Sequence, residues 1–174
     1  MTTTLEKLTF QNGRTLTAQD VMTSGVVRVP ADLTLAELAD VLMENEISGA
    51  PVVDEDGTLV GVVSLFDVAR QLTGESSVMT DRGSPEFYVR GWEDQYAAEE
   101  FRKLRIQEGE LTVRDVMTPA IFSVAEDDPV ENVARTLVDG HIHRLLVTRG
   151  SEVVGIISSL DLLRAFLGDA PGRR

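Results

Sequence analysis

GIISSLD, residues 155–161, and GVVSLFD, residues 61–67, share one form: glycine, a short apolar run, then Ser-x-x-Asp. The apolar runs have strand character, and a helical pattern follows each Asp. Serine with an acid three residues on is a capping box, the signature of a helix start. Each stretch therefore places a hydroxyl and a carboxylate at a strand-to-helix junction, and the chain does this twice.

Upstream of Gly61 lies a complete structural unit. Thr17 with Asp20 has capping-box form and predicts one helical turn before Met22. Val26, Val27 and Val29 suggest a short strand. Leu35, Leu38, Ala39, Leu42 and Met43 then mark one apolar stripe at helical spacing, predicting a helix over 32–44. Thr34 is its expected N-cap, with Glu37 completing the box. Ala50–Val53 and Leu59–Val63, joined by Asp54-Glu55-Asp56-Gly57, predict a hairpin. Ser64 then caps a helix carrying Leu65, Val68, Ala69 and Leu72.

The same order returns later. Thr112, Asp115, Val116, Met117 and Thr118 repeat Thr17, Asp20, Val21, Met22 and Thr23. Asp127, Ala134, Leu137, Ile142 and Val147 answer Asp32, Ala39, Leu42, Ile47 and Val52. Past a one-residue deletion in the turn, Gly155, Ser158, Asp161 and Arg164 answer Gly61, Ser64, Asp67 and Arg70. Asp128 as cap, Pro129 at the first helical position and Glu131 predict the start of the second long helix. Identity in one register over a whole unit is an internal duplication. Neither unit alone has enough sheet to bury a stable core, so the two are expected to pack as one pseudo-symmetric body.

Composition narrows the function. The chain of 174 residues carries a net charge of -13, which repels a phosphate backbone and argues against nucleic acid. Cysteine is absent, removing disulfides, thiolate nucleophiles and Cys-based zinc sites and fitting a cytoplasmic setting. No apolar run approaches the roughly 20 residues of a membrane span, and the first ten residues lack signal-peptide form. Nothing resembles a nucleophile, base and orienting group, so an enzyme is not expected.

DVMT in each unit, the striped helix, GAPVVDEDGTLVGVVSLFD in the first and HIHRLLVTRGSEVVGIISSLD in the second together resemble CBS domains, which occur as tandem pairs. The resemblance covers residues 17–72 and 111–167, between a leader (1–16), an insert (73–110) and a tail (168–174), and reads as a stand-alone pair. It implies an α/β (α+β) fold, with two β-α-β-β-α modules packed as a pseudo-two-fold pair and clefts between them. Family pairs bind AMP, ADP, ATP or S-adenosylmethionine there, and often form homodimers. On that likeness Asp67 and Asp161 would hold ribose hydroxyls, with Ser64 and Ser158 nearby. His143 and Arg144 would meet phosphate, and Val26, Val27, Ile121 and Ile142 would enclose adenine. The chemistry agrees, since one carboxylate accepts from both hydroxyls of a diol and guanidinium suits phosphate. No cofactor is required and no metal site is expected, the two histidines at 141 and 143 being too few for one.

Both Ser-x-x-Asp motifs are also sound helix caps, and the two roles are compatible. The copies differ where the second has His143-Arg144-Leu145-Leu146 and the first has Ser48-Gly49-Ala50-Pro51, without a cation. Unequal clefts are therefore expected. The insert predicts a loop from Gly74 to Pro85 and a helix in EDQYAAEEFRKLRIQ, as a core cover, dimer arm or lid. A regulatory sensor of an adenosyl ligand, acting on some regulated protein, is the expected function. The alternative is a ligand-free dimerisation scaffold with vestigial clefts.

Overall fold

The computed structural model describes residues 9–10, 14–73, 86–89 and 111–168. The expected loop over 74–85 and the helix after Trp92 lie outside the described residues. A short ribbon, β1 (Thr9–Phe10) and β2 (Arg14–Thr15), precedes the first copy. That copy runs α1 (Ala18–Val21), β3 (Thr23–Ser24), β4 (Val29–Pro30), α2 (Leu35–Glu44), β5 (Gly49–Val53), β6 (Leu59–Ser64) and α3 (Leu65–Thr73). One turn of the insert follows as α4 (Glu86–Val89). The second copy runs α5 (Val113–Val116), β7 (Ser123–Ala125), α6 (Val130–Asp139), β8 (Arg144–Arg149), β9 (Glu152–Ser158) and α7 (Ser159–Leu167).

The local signals act as their chemistry requires. Thr34 Oγ1 accepts from the Glu37 N–H at 3.3 Å, and Glu37 Oε2 accepts from Thr34 N–H at 2.9 Å. The Thr34 hydroxyl, donating to Glu37 Oε2 at 2.7 Å, and then the Thr34 N–H hold the Glu37 carboxyl below its ordinary range. Leu35, Leu38, Ala39 and Leu42 form the buried stripe of α2. In the hairpin turn, Asp54 Oδ1 accepts from the N–H groups of Asp56 and Thr58, and Gly57 takes a φ of 79°. Glycine tolerates that value without steric cost.

Two expectations are corrected. Asp128 does not cap α6: its Oδ2 accepts from Ala125 N–H at 2.8 Å, tying the loop, and Pro129 holds the N-cap position without a side-chain bond. The strand expected through Val26 and Val27 breaks at Gly25, whose φ is 77°, leaving β3 and β4 as separate two-residue strands. His141 sits in a turn with φ 50°, and β8 begins only at Arg144.

The strands divide into a three-stranded sheet, β4-β5-β6, and a four-stranded sheet, β3-β9-β8-β7. β3 belongs to the first copy by sequence yet pairs antiparallel with β9 of the second, Thr23 opposite Ile156. The exchange is reciprocal. Val62 of β6 and Thr118 of the second copy bridge through two backbone bonds of 2.9 Å. Ala18 N–H and Gln19 N–H donate to Asp128 and Glu126 carbonyls, while Val113 N–H and Arg114 N–H donate to Leu33 and Ala31 carbonyls. Ala18 and Val21 lie in the core built on the second copy, and Val113 in the core built on the first. Each fully buried valine contributes about 1.5–3 kcal/mol, so each copy is completed by the opening turn of the other.

Candidate functional site

The crossed strands bring both Ser-x-x-Asp junctions against the other copy. At the first, Asp67 Oδ2 accepts from Ser64 N–H and from Ser64 Oγ, both at 2.7 Å. At the second, Asp161 Oδ2 accepts from Ser158 N–H at 2.7 Å and from Ser158 Oγ at 2.6 Å. Both carboxylates are buried, at 7% and 8% exposure, which an acid tolerates only when hydrogen-bonded. The capping reading is therefore met twice. It uses one carboxylate oxygen at Asp161 and leaves Oδ1, 3.9 Å from Arg164 Nη1, able to accept from a diol.

The glycine that opens each motif has a steric reason. A Cβ at Gly61 would lie 2.6 Å from the Thr118 carbonyl oxygen and 3.2 Å from Met117 Sδ. A Cβ at Gly155 would meet Met22, with Cγ at 2.8 Å. The DVMT segment of one copy crosses the other copy's strand at the one position that has no side chain. Met22 and Met117 fill the space that results.

Each junction is therefore composite. Ser158 ends the strand that pairs with Thr23 and Ser24 and caps the helix carrying Asp161 in its first turn, so the second copy's junction continues from a strand edged by the first copy's entering chain. Ser64 ends the strand bridged by Thr118, with Asp67 in the first turn of the helix that follows, and the chain from Thr118 leads on to Ile121 and Phe122. Val26 and Val27 are half-buried, Ile121 is exposed at 39% and Ile142 is buried. Arg144 is opposite Ser158 across β8–β9, and the His143 carbonyl accepts from Ser159 N–H at 2.9 Å. The Arg144 guanidinium, however, lies over the Phe87 ring, 5.3 Å from its centroid. Sequence reasoning grouped Asp161 with His143 and Arg144 because they share a copy; exchange between copies carries no signal in a linear motif.

Two features escaped that reasoning. Thr118 is buried at 4% exposure and its hydroxyl has no hydrogen-bond partner. Leaving a buried hydroxyl unpaired costs about 1–3 kcal/mol, so the group marks a place for a polar guest. The DVMT repeat could have flagged it, but read there as a helix end. Second, Phe87 and Tyr88 of α4 are buried in the core of the second copy. The Tyr88 phenol oxygen accepts from Phe122 N–H at 2.9 Å, and the Tyr88 carbonyl accepts from His143 N–H at 2.6 Å. Burial pushes the Tyr88 phenol well above its ordinary pKa. Among the described residues no group of His, Cys, Asp or Glu could hold a metal ion, and no helix is long and apolar enough to cross a membrane.

The CBS domain family model matches residues 18–74 and 113–168. The chain is 30% identical over 170 residues to the uncharacterized protein MJ1426 of Methanocaldococcus jannaschii, covering 96% of this chain and all of that one. It is 34% identical over 135 residues to the chloroplastic CBS domain-containing protein CBSX1 of Arabidopsis thaliana, covering 77% of this chain but 56% of the relative. The structure of CBSX2 in complex with AMP superposes with a TM-score of 0.60 at 25% identity, covering 87% of this chain and 96% of that one. The CBS domain pair of protein MJ0100, solved with 5'-methylthioadenosine and S-adenosyl-L-methionine, gives 0.60 at 23% identity, a likeness of fold, over 89% and 98% of the two chains.

Proposed function

The chain belongs to the CBS-domain family, with two copies of the domain, and on that premise we propose that it is a regulatory module binding an adenosyl ligand. AMP, ADP, ATP and S-adenosylmethionine are the candidates, and the junction of Asp161 with the first copy's Thr23–Val27 segment is the primary site. The observation that carries the reading is the composite junction: a buried, capped carboxylate from one copy beside the entering chain of the other. CBSX2, a relative that is an AMP complex with the same fold, supports it.

In this reading Asp161 Oδ1 accepts from the ribose hydroxyls while Oδ2 holds the helix cap. Val26 and Val27 offer the base an apolar wall, and Arg164, 3.9 Å from Asp161 Oδ1, supplies positive charge on an acidic surface. Ligand changes the protein only through unequal affinity for two arrangements. Because each junction spans both copies, a guest bears on their mutual packing, which a regulated protein can read. Calorimetric titration with AMP tests this: Asp161→Asn should weaken binding about tenfold or more, as for loss of a charged hydrogen bond. Asp67→Asn should leave that site nearly unchanged. Absence of heat and of any melting shift with AMP, ATP and S-adenosylmethionine would overturn the reading and favour the scaffold.

The module is also proposed to be a homodimer. Val138, Leu163, Phe166 and Leu167 of α6 and α7 are 70%, 60%, 63% and 74% exposed. Burying such side chains contributes about 1.5–3 kcal/mol each. Sedimentation should show a dimer that Leu163→Glu converts to a monomer; a Leu163→Glu dimer of unchanged strength would move the interface elsewhere.

A further inference from the structure

The turn at Phe87–Tyr88 lies where the two copies differ most. Gly49 and Arg144 are equivalent positions, each opening the first strand of its hairpin and pairing with the motif serine, Ser64 or Ser158. Phe87 lies against both. A Cβ at Gly49 would stand 2.9 Å from the Phe87 ring, and Arg144 covers that ring at 5.3 Å. Tyr88 is fully buried and packs edge-on to Phe87 and to Phe122, with centroids 5.0 and 4.9 Å apart. Its phenol and carbonyl oxygens take the N–H groups of Phe122 and His143.

Flat ring, backbone donor and guanidinium are the parts from which a nucleotide site is made, since a base stacks on apolar groups and its ring nitrogens accept N–H bonds. Here all three are met from within the chain, on the side served by Thr118, Ser64 and Asp67. We propose that Phe87–Tyr88 is an internal occupant of the Asp67-side cleft, standing in the base position and closing that cleft to adenosyl ligands until it is displaced. This rests on the adenosyl-binding reading above and deepens it. Thr118 is then the part of the site that the occupant does not reach, which accounts for its unpaired hydroxyl. Ligand affinity at this cleft is reduced by the fraction of molecules in which the turn is out. The first cleft fills at lower concentration and the second only when the Phe87–Tyr88 turn is displaced.

Calorimetry with AMP on the full chain tests it. Wild type should bind one AMP tightly per chain. Tyr88→Phe keeps the ring but removes the acceptor for Phe122 N–H, and should reveal a second site, tightened about fivefold or more, the scale of one hydrogen bond. In an Asp161→Asn background that second site alone should remain, and Thr118→Val should abolish it. Amide exchange in wild type is the independent measure should Tyr88→Phe fail to fold. Phe122 and His143 N–H should stay protected while the first site fills and exchange faster at higher AMP. Two equal sites in wild type, or a Tyr88→Phe protein with one site, or unchanged exchange with both sites filled, would overturn the occupant and leave the binding reading standing. No binding of AMP, ATP or S-adenosylmethionine to either protein would remove both.

Discussion

The two copies share a backbone path and diverge in what lies against it. The pairs Gly49–Ser64 and Arg144–Ser158 are equivalent, as are the bridges of Thr118 to Val62 and Thr23 to Ile156. Yet Phe122 N–H is held by Tyr88 and Phe122 O accepts from Leu146 N–H, whereas Pro51, at the position of Leu146, has no N–H to give. The large apolar side chains left exposed on α6 and α7 have no counterpart of that exposure in the first copy among the described residues. Duplication supplied one frame, and single substitutions made one half the anchor of the insert. Identical clefts would answer one ligand concentration, whereas unequal ones would answer two.

The largest test of the comparison is the crossing itself. Gly61 faces a backbone carbonyl and Gly155 a flexible methionine side chain. Gly61→Ala should therefore destabilise by about 3 kcal/mol and Gly155→Ala by about 1 kcal/mol, the range for overpacking. Urea unfolding reads the difference. Equal losses would mean that the two crossings are equally rigid.

Tyr88 gives a smaller, pH-dependent contrast. Its phenol titrates higher in the folded protein than in the unfolded chain because burial disfavours the phenolate. Below about pH 10, both states keep the proton and its contribution is full. Above it the unfolded chain ionises first, and stability should fall by about 1.4 kcal/mol per pH unit. Tyr88→Phe should remove that slope. If the slope persists in Tyr88→Phe, Tyr88 is not the buried proton donor that resists ionisation.

Smallest is the threonine pair. Thr118→Val removes an unpaired buried hydroxyl and should raise ligand-free stability by about 1 kcal/mol. Thr23→Val, at a half-buried position, should change little in thermal melting. A loss at Thr118 would mean that its hydroxyl is satisfied in solution.

Much of this was legible in the sequence. The caps at Thr34 and Ser158, the Asp54 turn and the stripe of α2 are local, and propensity with spacing defines them. The repeat identified the family. The exchange of β3 and the Thr118 segment was not legible, since a two-residue strand and a single bridge carry no periodicity and their partners lie far along the chain, Ile156 for Thr23 and Val62 for Thr118. The Phe87–Tyr88 turn was hidden for another reason: FYVRGW has no helical period, and only the glycine at 49 makes room for its ring. The candidate residues were grouped by copy, whereas the fold pairs the strand before Ser158 with Thr23 and Ser24 and bridges the strand ending at Ser64 to Thr118, across the copies.

The central claim is that the composite junction at Asp161 is the open adenosyl site. A crystal grown with 8-bromo-AMP tests it most directly, since bromine locates the base by anomalous scattering. The account predicts one strong bromine peak per chain beside Val26 and Val27, with the ribose on Asp161. A peak beside Ile121 and Phe122 with the ribose on Asp67, and none at the other junction, would contradict it.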